Sequence, residues 1–236
     1  MSSDALKTYV AELHIHTVLS PCASVEMIPP LIVQTALERG IDLIAISDHN
    51  SSANVAAVCA AAAATSLAVL PGMELQTREE VHLLCLFDTL EQLADWQAFV
   101  DQHLPPLEND IDLFGEQFVV DETGAFIRRE SRLLITAVNV SLKQAVQEVV
   151  GRGGLAIPAH VDRPSFSLFA NLGFIPTDVT FEALEISHYT TPQAVCQTYP
   201  AVEAFPLLQN GDAHRLDEIK GRTVFHLKEP TIAEIH

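Results

Sequence analysis

The chain has 236 residues, 48% of them hydrophobic, which is enough for one sizeable core and too few for a second. We therefore expect a single domain over residues 1–236. The 31 acidic and 13 basic residues give a formal net charge of −18. A field of that sign repels polyanions, so we expect a small phosphorylated partner and no long nucleic acid.

The N-terminal residues show no apolar run behind a basic stretch, and the alanine-rich segment 53–64 is too short to span a bilayer. We expect a cytoplasmic protein with no membrane partner. None of the four cysteines belongs to a CxxC pair, which is typical of thiols that stay reduced. Disulfides are therefore not expected.

Short β-rich runs alternate with longer helical patterns along the chain. The first helices are predicted at residues 29–39 and 54–64, and Gly40 and Gly151 stand where helices should end. The predicted strands lie at residues 11–17, 42–47, 67–70, 81–87, 155–159, 183–187, 206–208 and 223–227. This βαβ rhythm favours an α/β fold whose parallel strands close into a barrel.

Residues 105–135 interrupt the rhythm. Alternating runs at 117–120 and 125–129 flank a turn at 122–124, which predicts an inserted β-hairpin over one end of the barrel. The segment contains no histidine or cysteine. We expect it to shape access to a site and not to carry out chemistry.

Two histidines stand two residues apart in the first predicted strand. Side chains at that spacing point to the same face of a strand, so His14 and His16 project together and suit a divalent metal ion. Taken alone, the pair is equally compatible with structural or surface histidines.

The same association of polar side chains with strand ends recurs along the chain. The residues concerned are Asp48, His49, Glu74, His82, His160, Asp212 and His214. In a parallel barrel the carboxyl ends of the strands share one rim, where loops assemble a site. Without metal, so many ionisable groups in one basin would cost on the order of several kcal/mol each. The pattern therefore predicts a metal site at this rim.

Four short motifs, in chain order, resemble those of the PHP (polymerase and histidinol phosphatase) family. They are His14-Ile-His16, Asp48-His49-Asn50, His160 and Asp212-Ala-His214. The resemblance implies a distorted (β/α)7 TIM-like barrel that binds two or three divalent metal ions (Zn, Mn or Fe). It also implies hydrolysis of phosphoester bonds.

The resemblance further implies three groups of ligands. His14, His16 and Asp212 would hold one metal, and His82 and His160 would hold a second, with Glu74 bridging the two. The third metal would take His49, His214 and Cys22, the last standing where family members often have histidine. A thiolate suits zinc or iron; the alternative is a small thiol that binds no metal. Asp48 and His214 are also predicted to take part in catalysis.

Two arginines are candidates for binding substrate. Arg163 follows His160 by three residues, and its guanidinium suits phosphate oxygens; the alternative is a surface arginine paired with Asp162. Arg215 is a weaker candidate of the same kind, with a solvated charge as the alternative. Among the other histidines, His188 is predicted either to support a metal ligand or to be structural, and His103, His226 and His236 are predicted to lie at the surface.

Together these features predict a phosphatase or phosphodiesterase that attacks a small phosphate ester with a metal-activated hydroxide. The ester could be a nucleotide, a sugar phosphate or a compound like histidinol phosphate. Two alternatives stay open: a metal-dependent amidohydrolase, disfavoured because no lysine occupies the predicted rim positions, and a non-catalytic regulatory barrel that binds metal. The chain has no GxSxG, Walker or GxGxxG motif.

Overall fold

A computed structural model describes residues 5–235 as alternating strands and helices. The strands are β1 (Lys7–Ile15), β2 (Leu43–Ile46), β3 (Ala68–Gln76), β4 (His82–Leu86), β5 (Phe118–Val120), β6 (Phe126–Arg129), β7 (Leu155–Pro158), β8 (Leu184–Ile186), β9 (Leu207–Gln209) and β10 (Thr223–Leu227). The helices are α1 (Pro29–Glu38), α2 (Val55–Ala62), α3 (Leu90–Asp101), α4 (Ile111–Phe114), α5 (Leu142–Gly151), α6 (Leu168–Asn171), α7 (Pro192–Thr198) and α8 (Ile232–Ile235). Two 3-10 helices lie at Pro200–Ala204 and Leu216–Glu218.

Six strands form the main sheet, in the order β10-β1-β2-β3-β4-β7. Strands β1, β2 and β3 run parallel, whereas β4 runs antiparallel to both of its neighbours, β3 and β7. Strands β8 and β9 form a separate parallel pair. Strand β10 runs antiparallel to β1. The predicted parallel arrangement is therefore wrong for β4 and for β10.

Backbone hydrogen bonds join β8 to the segment after β7, and the segment after β9 to the end of β1. On one side the Val161 N–H donates to the Glu185 carbonyl at 2.8 Å. On the other side the Ala213 N–H donates to His14 and the His16 N–H donates to Ala213, each at 2.9 Å. The result is an α/β fold with a half-barrel sheet whose strand ends face one another.

Strands β2, β4 and β7 are buried on both faces. In β2, Leu43 and Ala45 belong to an inner cluster, and Ile44 and Ile46 belong to an outer cluster that packs against the helices. Burial on both faces is what a near-continuous apolar run predicts. The other strand residues of the inner cluster are Ala11, Leu13, Leu70, Leu84, Leu86, Leu155, Ile157 and Leu208.

A β-bulge near the end of β1 changes which side chains face inward. Glu12 pairs with Ile44 and Ile15 pairs with Ile46, so β1 has one extra residue between these pairs. Leu13 lies in the inner cluster, whereas Ile15, two residues later, lies in the outer cluster. The extra residue therefore reverses the alternation, and the residues flanking Ile15 face the interior rim.

Strand β3 extends beyond its predicted end at residue 70. It continues through Pro71 and Gly72 to Gln76, because the strand changes partner at these residues. Pairing with β2 ends at Pro71, and pairing with β4 begins at Gly72. A Cβ atom on Gly72 would lie 2.8 Å from the Ile46 carbonyl oxygen, so only glycine fits this crossing point.

Within the segment 105–135, β5 and β6 pair antiparallel around a turn at 121–125. One buried side chain, Asn54, fastens the segment to the rest of the fold, and a second, Gln117, joins two parts of the segment itself. Asn54 donates to the Phe118 carbonyl and accepts from the Val120 N–H, each at 3.0 Å. Gln117 accepts from the Leu134 N–H at 3.0 Å and donates to the carbonyl of Glu130 at 3.0 Å.

The ends of two helices test the predicted glycine positions. Gly40 adopts a φ of 65° after α1, as predicted. Helix α5 includes Gly151, and the left-handed residue is Gly153 instead, with a φ of 74°.

The four cysteines are free thiols, as predicted. Within residues 5–235, every helix is too short or too polar to cross a bilayer.

Candidate metal centre

The polar residues predicted at strand ends meet at one rim of the curled sheet. His16 follows β1, His49 follows β2 and His160 follows β7, while Glu74 lies within β3. His82 opens β4. Because β4 runs antiparallel to its neighbours, its first residue lies at the same rim as the last residues of β3 and β7.

Four side chains form the first group of donor atoms. The Nε2 atoms of His14 and His16 lie 3.2 Å apart and are 3.2 and 3.1 Å from Asp212 Oδ1. They lie 3.3 and 3.5 Å from the two carboxylate oxygens of Glu74. Donors about 2.0–2.3 Å from a tetrahedral metal are roughly 3.3–3.8 Å apart, so this spacing suits a shared ion.

Glu74 is also the centre of a second group. Its Oε1 atom lies 2.8 Å from His82 Nδ1 and 3.1 Å from His160 Nε2. Its Oε2 atom lies 2.9 Å from His49 Nδ1. The Glu74 side chain is 1% exposed, so one buried carboxylate lies between two sets of imidazoles. The resemblance to the PHP family implies that Glu74 is a bridging ligand.

The third group lies at the solvent side of the centre. The Cys22 sulfur is 3.1 Å from His214 Nε2 and 3.4 Å from His49 Nε2. Burial opposes ionisation of the thiol, but hydrogen bonds from both imidazoles lower the pKa of Cys22 to about 6. The thiol is therefore poised to be a thiolate near neutral pH, the form that ligates metal.

The two carboxylates of the centre are held in their charged form. Burial raises the pKa of Glu74, but the charges of His82, His14 and His49 hold it well below its usual range. Burial also raises the pKa of Asp212, but His14 and His16 hold it well below its usual range. A buried pair of ionised carboxylates requires cations beside it.

The pKa values of two imidazoles shift in opposite directions because the charges around them differ. Burial would lower the pKa of His14, but the charges of Glu185, Asp212 and Glu74 raise it well above its usual range. Burial and the charges of His214 and His49 lower the pKa of His16. Metal binding to the centre should therefore displace protons, because ligating nitrogens must be deprotonated.

Unsatisfied buried atoms show that the centre fits metal ions. His49 Nδ1 and Glu74 Oε2 lie close but are misaligned, and neither makes a hydrogen bond among the described residues. Leaving such atoms unpaired costs about 1–3 kcal/mol each. Three overlapping sets could each hold an ion: His14, His16 and Glu74; His49, Glu74 and His82; and His16, His49 and His214.

Glu185 is a buried acid that the sequence analysis missed. Its carboxylate lies 3.0 Å from His14 Nδ1 and accepts from the Asn210 amide at 2.8 Å and the His160 N–H at 2.9 Å. A carboxylate on the far nitrogen fixes the ring and leaves Nε2 free for metal. The available signal was one acid inside the otherwise apolar run 183–187.

Asp48 lies behind the centre. Its oxygens accept from the Thr17 N–H and hydroxyl and from the Ser20 hydroxyl, each at 2.7 Å. The Ser20 oxygen lies 2.9 Å from His16 Nδ1. Asp48 therefore reaches the donor cluster through Ser20.

Strained backbone concentrates at the rim. Asn50, His160 and Asp212 have positive φ values of 50°, 32° and 48°. Phe166 has a φ of 54°, and its ring stacks on His82 with centroids 4.9 Å apart. Non-glycine residues rarely adopt this region, and they cluster at functional sites. The Asn50 amide donates to the carbonyls of Leu134 and Thr136, which ties the rim to the inserted segment.

The two predicted substrate-binding arginines differ in placement. The Arg163 guanidinium contacts the Asp212 carboxylate and is 38% exposed. Asp162 is not its partner, because Asp162 accepts from the Ser187 N–H and hydroxyl at 2.6 and 2.5 Å. Arg215 is exposed, and its N–H donates to Glu218 at 3.0 Å.

The remaining histidines lie as follows. His188 lines a cavity of about 240 Å³ beside the centre, together with Arg163 and Asp212. His226 is exposed, as predicted, and His103 is half-buried, with Nδ1 2.8 Å from the Phe99 carbonyl. His236 lies outside the described residues.

The fold and the donor set together define an α/β protein with a candidate centre for several metal ions. The family model "PHP domain" matches residues 12–139, which is 128 of 236 residues and more than half of the chain. The chain belongs to the PHP domain family. His160 and Asp212 lie beyond the matched segment, yet they contact donors within it. No curated protein sequence matches the chain.

Several solved structures share the fold. The lesion-specific endonuclease Q of Pyrococcus furiosus aligns with a TM-score of 0.71 and 20% identity, over 97% of this chain and 55% of the endonuclease. A proposed metal-dependent phosphoesterase from Bifidobacterium adolescentis aligns with a TM-score of 0.57 and 20% identity, over 92% of this chain and 90% of its own. An amidohydrolase from Chromobacterium violaceum aligns with a TM-score of 0.59 and 18% identity, over 93% of this chain and 92% of the amidohydrolase. This chain spans about half the length of endonuclease Q.

The expectation that long nucleic acid is excluded as a partner is wrong. A second structure of endonuclease Q aligns with this chain with a TM-score of 0.72. It contains a 27-mer duplex substrate with an abasic lesion at the active site of the endonuclease. Net charge describes the far field, whereas a strand at the rim meets the local charge of the site. An overall charge of −18 therefore does not decide the size of the substrate.

Proposed function

We propose that this protein is a metal-dependent phosphoesterase whose active site is the rim centred on Glu74. One observation carries the proposal: five histidine nitrogens lie within 3.5 Å of the two oxygens of this one buried carboxylate. Such a set serves ions better than it serves packing, because it leaves buried polar atoms without hydrogen bonds.

The proposed ligands fall into three groups around Glu74. His14, His16 and Asp212 would hold one ion, His82 and His160 would hold a second, and Glu74 would be shared by both. His49, His214 and Cys22 would hold the third. Bound divalent ions polarise phosphoryl oxygens and lower the pKa of water toward ~7, which is the chemistry that phosphoester hydrolysis requires. Zinc, manganese and iron all suit this mixture of imidazole, carboxylate and thiolate.

The protein's own residues orient these ligands and bind the phosphate. Glu185 fixes the tautomer of His14, and Ser20, held by Asp48, positions His16. We assign Asp48 this positioning role in place of the predicted catalytic one. Arg163 stands beside Asp212 at the cavity and supplies a guanidinium for phosphate oxygens.

The scaffold of this site is a distorted barrel of seven strands within one domain. We propose that β1, β2, β3, β4, β7, β8 and β9 form the ring. The hydrogen bonds from Val161 to Glu185 and between Ala213 and β1 support this closure. The segment that contains β5 and β6 lies outside the ring as an insertion.

The test is hydrolysis by protein that has been stripped with a chelator and reloaded with manganese, zinc or iron. The panel contains nucleotides, sugar phosphates, histidinol phosphate, an aryl phosphodiester, and duplex DNA with and without an abasic site. Amide and lactone substrates are included because an amidohydrolase shares the fold. Glu74→Gln is the inactive control.

We expect metal-dependent release of phosphate or of a cleaved strand, lost in Glu74→Gln. Folded, metal-loaded protein that cleaves no phosphate ester would refute the proposal. Cleavage of amides or lactones alone would replace it with an amidohydrolase activity. The DNA substrates separate a phosphatase for small esters from a nuclease.

A further inference from the structure

An exposed tyrosine stands at the mouth of the cavity beside the metal centre. The cavity is lined by His160, Asp212 and His214 on the metal side, and by Arg163, His188 and Tyr189 elsewhere. Tyr189 is 80% exposed, the highest value among the large apolar side chains exposed in residues 5–235. Tyrosine is enriched at binding surfaces, because it joins an apolar ring to a polar hydroxyl.

The loop that presents Tyr189 is held rigidly. The Gln209 amide donates to the carbonyls of Ser187 and Thr190 at 3.0 and 2.9 Å. Asp162 accepts from both the N–H and the hydroxyl of Ser187. The backbone on both sides of Tyr189 is therefore fixed, so exposure of its ring is not a consequence of a loose loop.

His188 supports the Tyr189 ring from within the cavity. The two ring centroids lie 3.8 Å apart, with planes at 41°. His188 is half-buried, so one side of the tyrosine ring rests on protein and the rest is open. Because the loop is already ordered, a ligand ring that stacks here pays little free energy to order it.

The dimensions of the cavity indicate that a substrate extends onto this ring. Sites that enclose a whole small molecule have volumes of roughly 300–1,000 Å³, and this cavity has about 240 Å³. A phosphate held by Arg163 and the metal centre would leave the rest of its ester at the mouth.

We propose that Tyr189 is a stacking subsite for the nucleobase of a nucleoside phosphate whose phosphate group lies at the metal centre. The phosphate end of this inference rests on the proposed function. The nucleobase belongs either to a free nucleotide or to the end of a strand, since both present the same ring and phosphate.

Equilibrium binding to manganese-loaded protein tests the subsite without requiring turnover. The probes are AMP, ribose 5-phosphate and a 5′-phosphorylated oligodeoxyadenylate, and any phosphate released during titration is measured. The variants are Tyr189→Ala and Tyr189→Phe. The matched control is Phe174→Ala, because Phe174 is 59% exposed and is not part of the cavity lining. Metal content is determined for each protein.

Stacking contributes about 1–3 kcal/mol per base, so Tyr189→Ala should weaken AMP binding about 5- to 150-fold. Ribose 5-phosphate binding should stay within about twofold. Tyr189→Phe and Phe174→Ala should bind AMP like the wild type. A loss confined to the oligonucleotide assigns the subsite to strand ends, and a loss with AMP assigns it to free nucleotides as well.

Two results would overturn the subsite. One is equal weakening of AMP and ribose 5-phosphate in Tyr189→Ala, which indicates a structural role; the other is no weakening of any probe. These outcomes are separable from the proposed function. Hydrolysis that is insensitive to Tyr189 removes the subsite alone, whereas stacking without hydrolysis of any phosphate ester removes the proposed activity alone.

Discussion

Replacing Glu185 by glutamine should weaken metal binding although Glu185 is not itself a proposed ligand. Its carboxylate receives three donors: the His14 ring, the Asn210 amide and the His160 N–H. Glutamine has only one oxygen. Its NH₂ group must therefore face a donor in either orientation, and at least one hydrogen bond is lost.

The substitution should have two separate effects, one on metal affinity and one on the free energy of unfolding. Loss of the carboxylate on His14 should cost about 10- to 100-fold in metal affinity, as for other carboxylate–histidine–metal arrangements. One buried donor left unpaired should lower the free energy of unfolding by about 1–3 kcal/mol. Both effects act on a buried carboxylate, 1% exposed, where solvent cannot compensate.

Affinity is measured by competition with a chelator of known strength, and stability by urea unfolding of the metal-free protein. Glu130→Gln is the matched control, because Glu130 is also buried but pairs with Arg128 and Arg132 in the inserted segment. The control should lose stability and keep its metal affinity. The reasoning fails if Glu185→Gln binds metal within twofold of the wild type, or if both variants lose affinity equally.

Three further predictions concern the same centre, and a fourth concerns the buried acid Glu12. Cobalt-loaded protein should show a thiolate-to-cobalt charge-transfer band that Cys22→Ser abolishes and Cys59→Ser retains; a band in Cys22→Ser would remove the thiolate from the ligand set. Arg163→Gln should keep its metals and lose about 1.5–3 kcal/mol of phosphate binding, about 10- to 150-fold in KM, and an unchanged KM would count against this role. Manganese at 100 times its Kd should raise the stability of the wild type by about 2.7 kcal/mol, and equal stabilisation of Glu74→Gln would contradict the bridging role. Burial raises the pKa of Glu12 to about 7, although backbone N–H donors and Arg222 lower it. The stability that protonated Glu12 contributes is therefore fully present below its ordinary pKa and is lost as the pH rises through 7. The free energy of unfolding of Glu12→Gln relative to wild type should therefore improve by about 3 kcal/mol between about pH 5 and about pH 8, whereas a constant difference would refute that pKa.

The sequence was sufficient to predict most of the histidines and acids that meet, because strand alternation and strand ends are local features. His14 and His16 converge as their spacing indicates. Which face they share was not predictable, since the bulge that turns Ile15 outward is set by pairing with β2. A bulge depends on the partner strand and leaves little signal in one sequence.

Long-range pairing explains the other differences. The prediction places Glu74 after a strand that ends at residue 70, whereas β3 continues because β4 takes over its pairing at Gly72. The direction of β4 could not be predicted from its apolar run, which reads the same in either orientation. Glu185 was missed because one acid in a short apolar run resembles an exposed strand position until its partners His14 and Asn210 are known.

Anomalous diffraction from crystals grown with manganese or zinc most directly tests whether the rim holds metal ions. The account predicts peaks within bonding distance of His14, His16 and Asp212 and of His82 and His160, with Glu74 between them. Well-ordered crystals without an anomalous peak at Glu74, from protein exposed to excess metal, would contradict it.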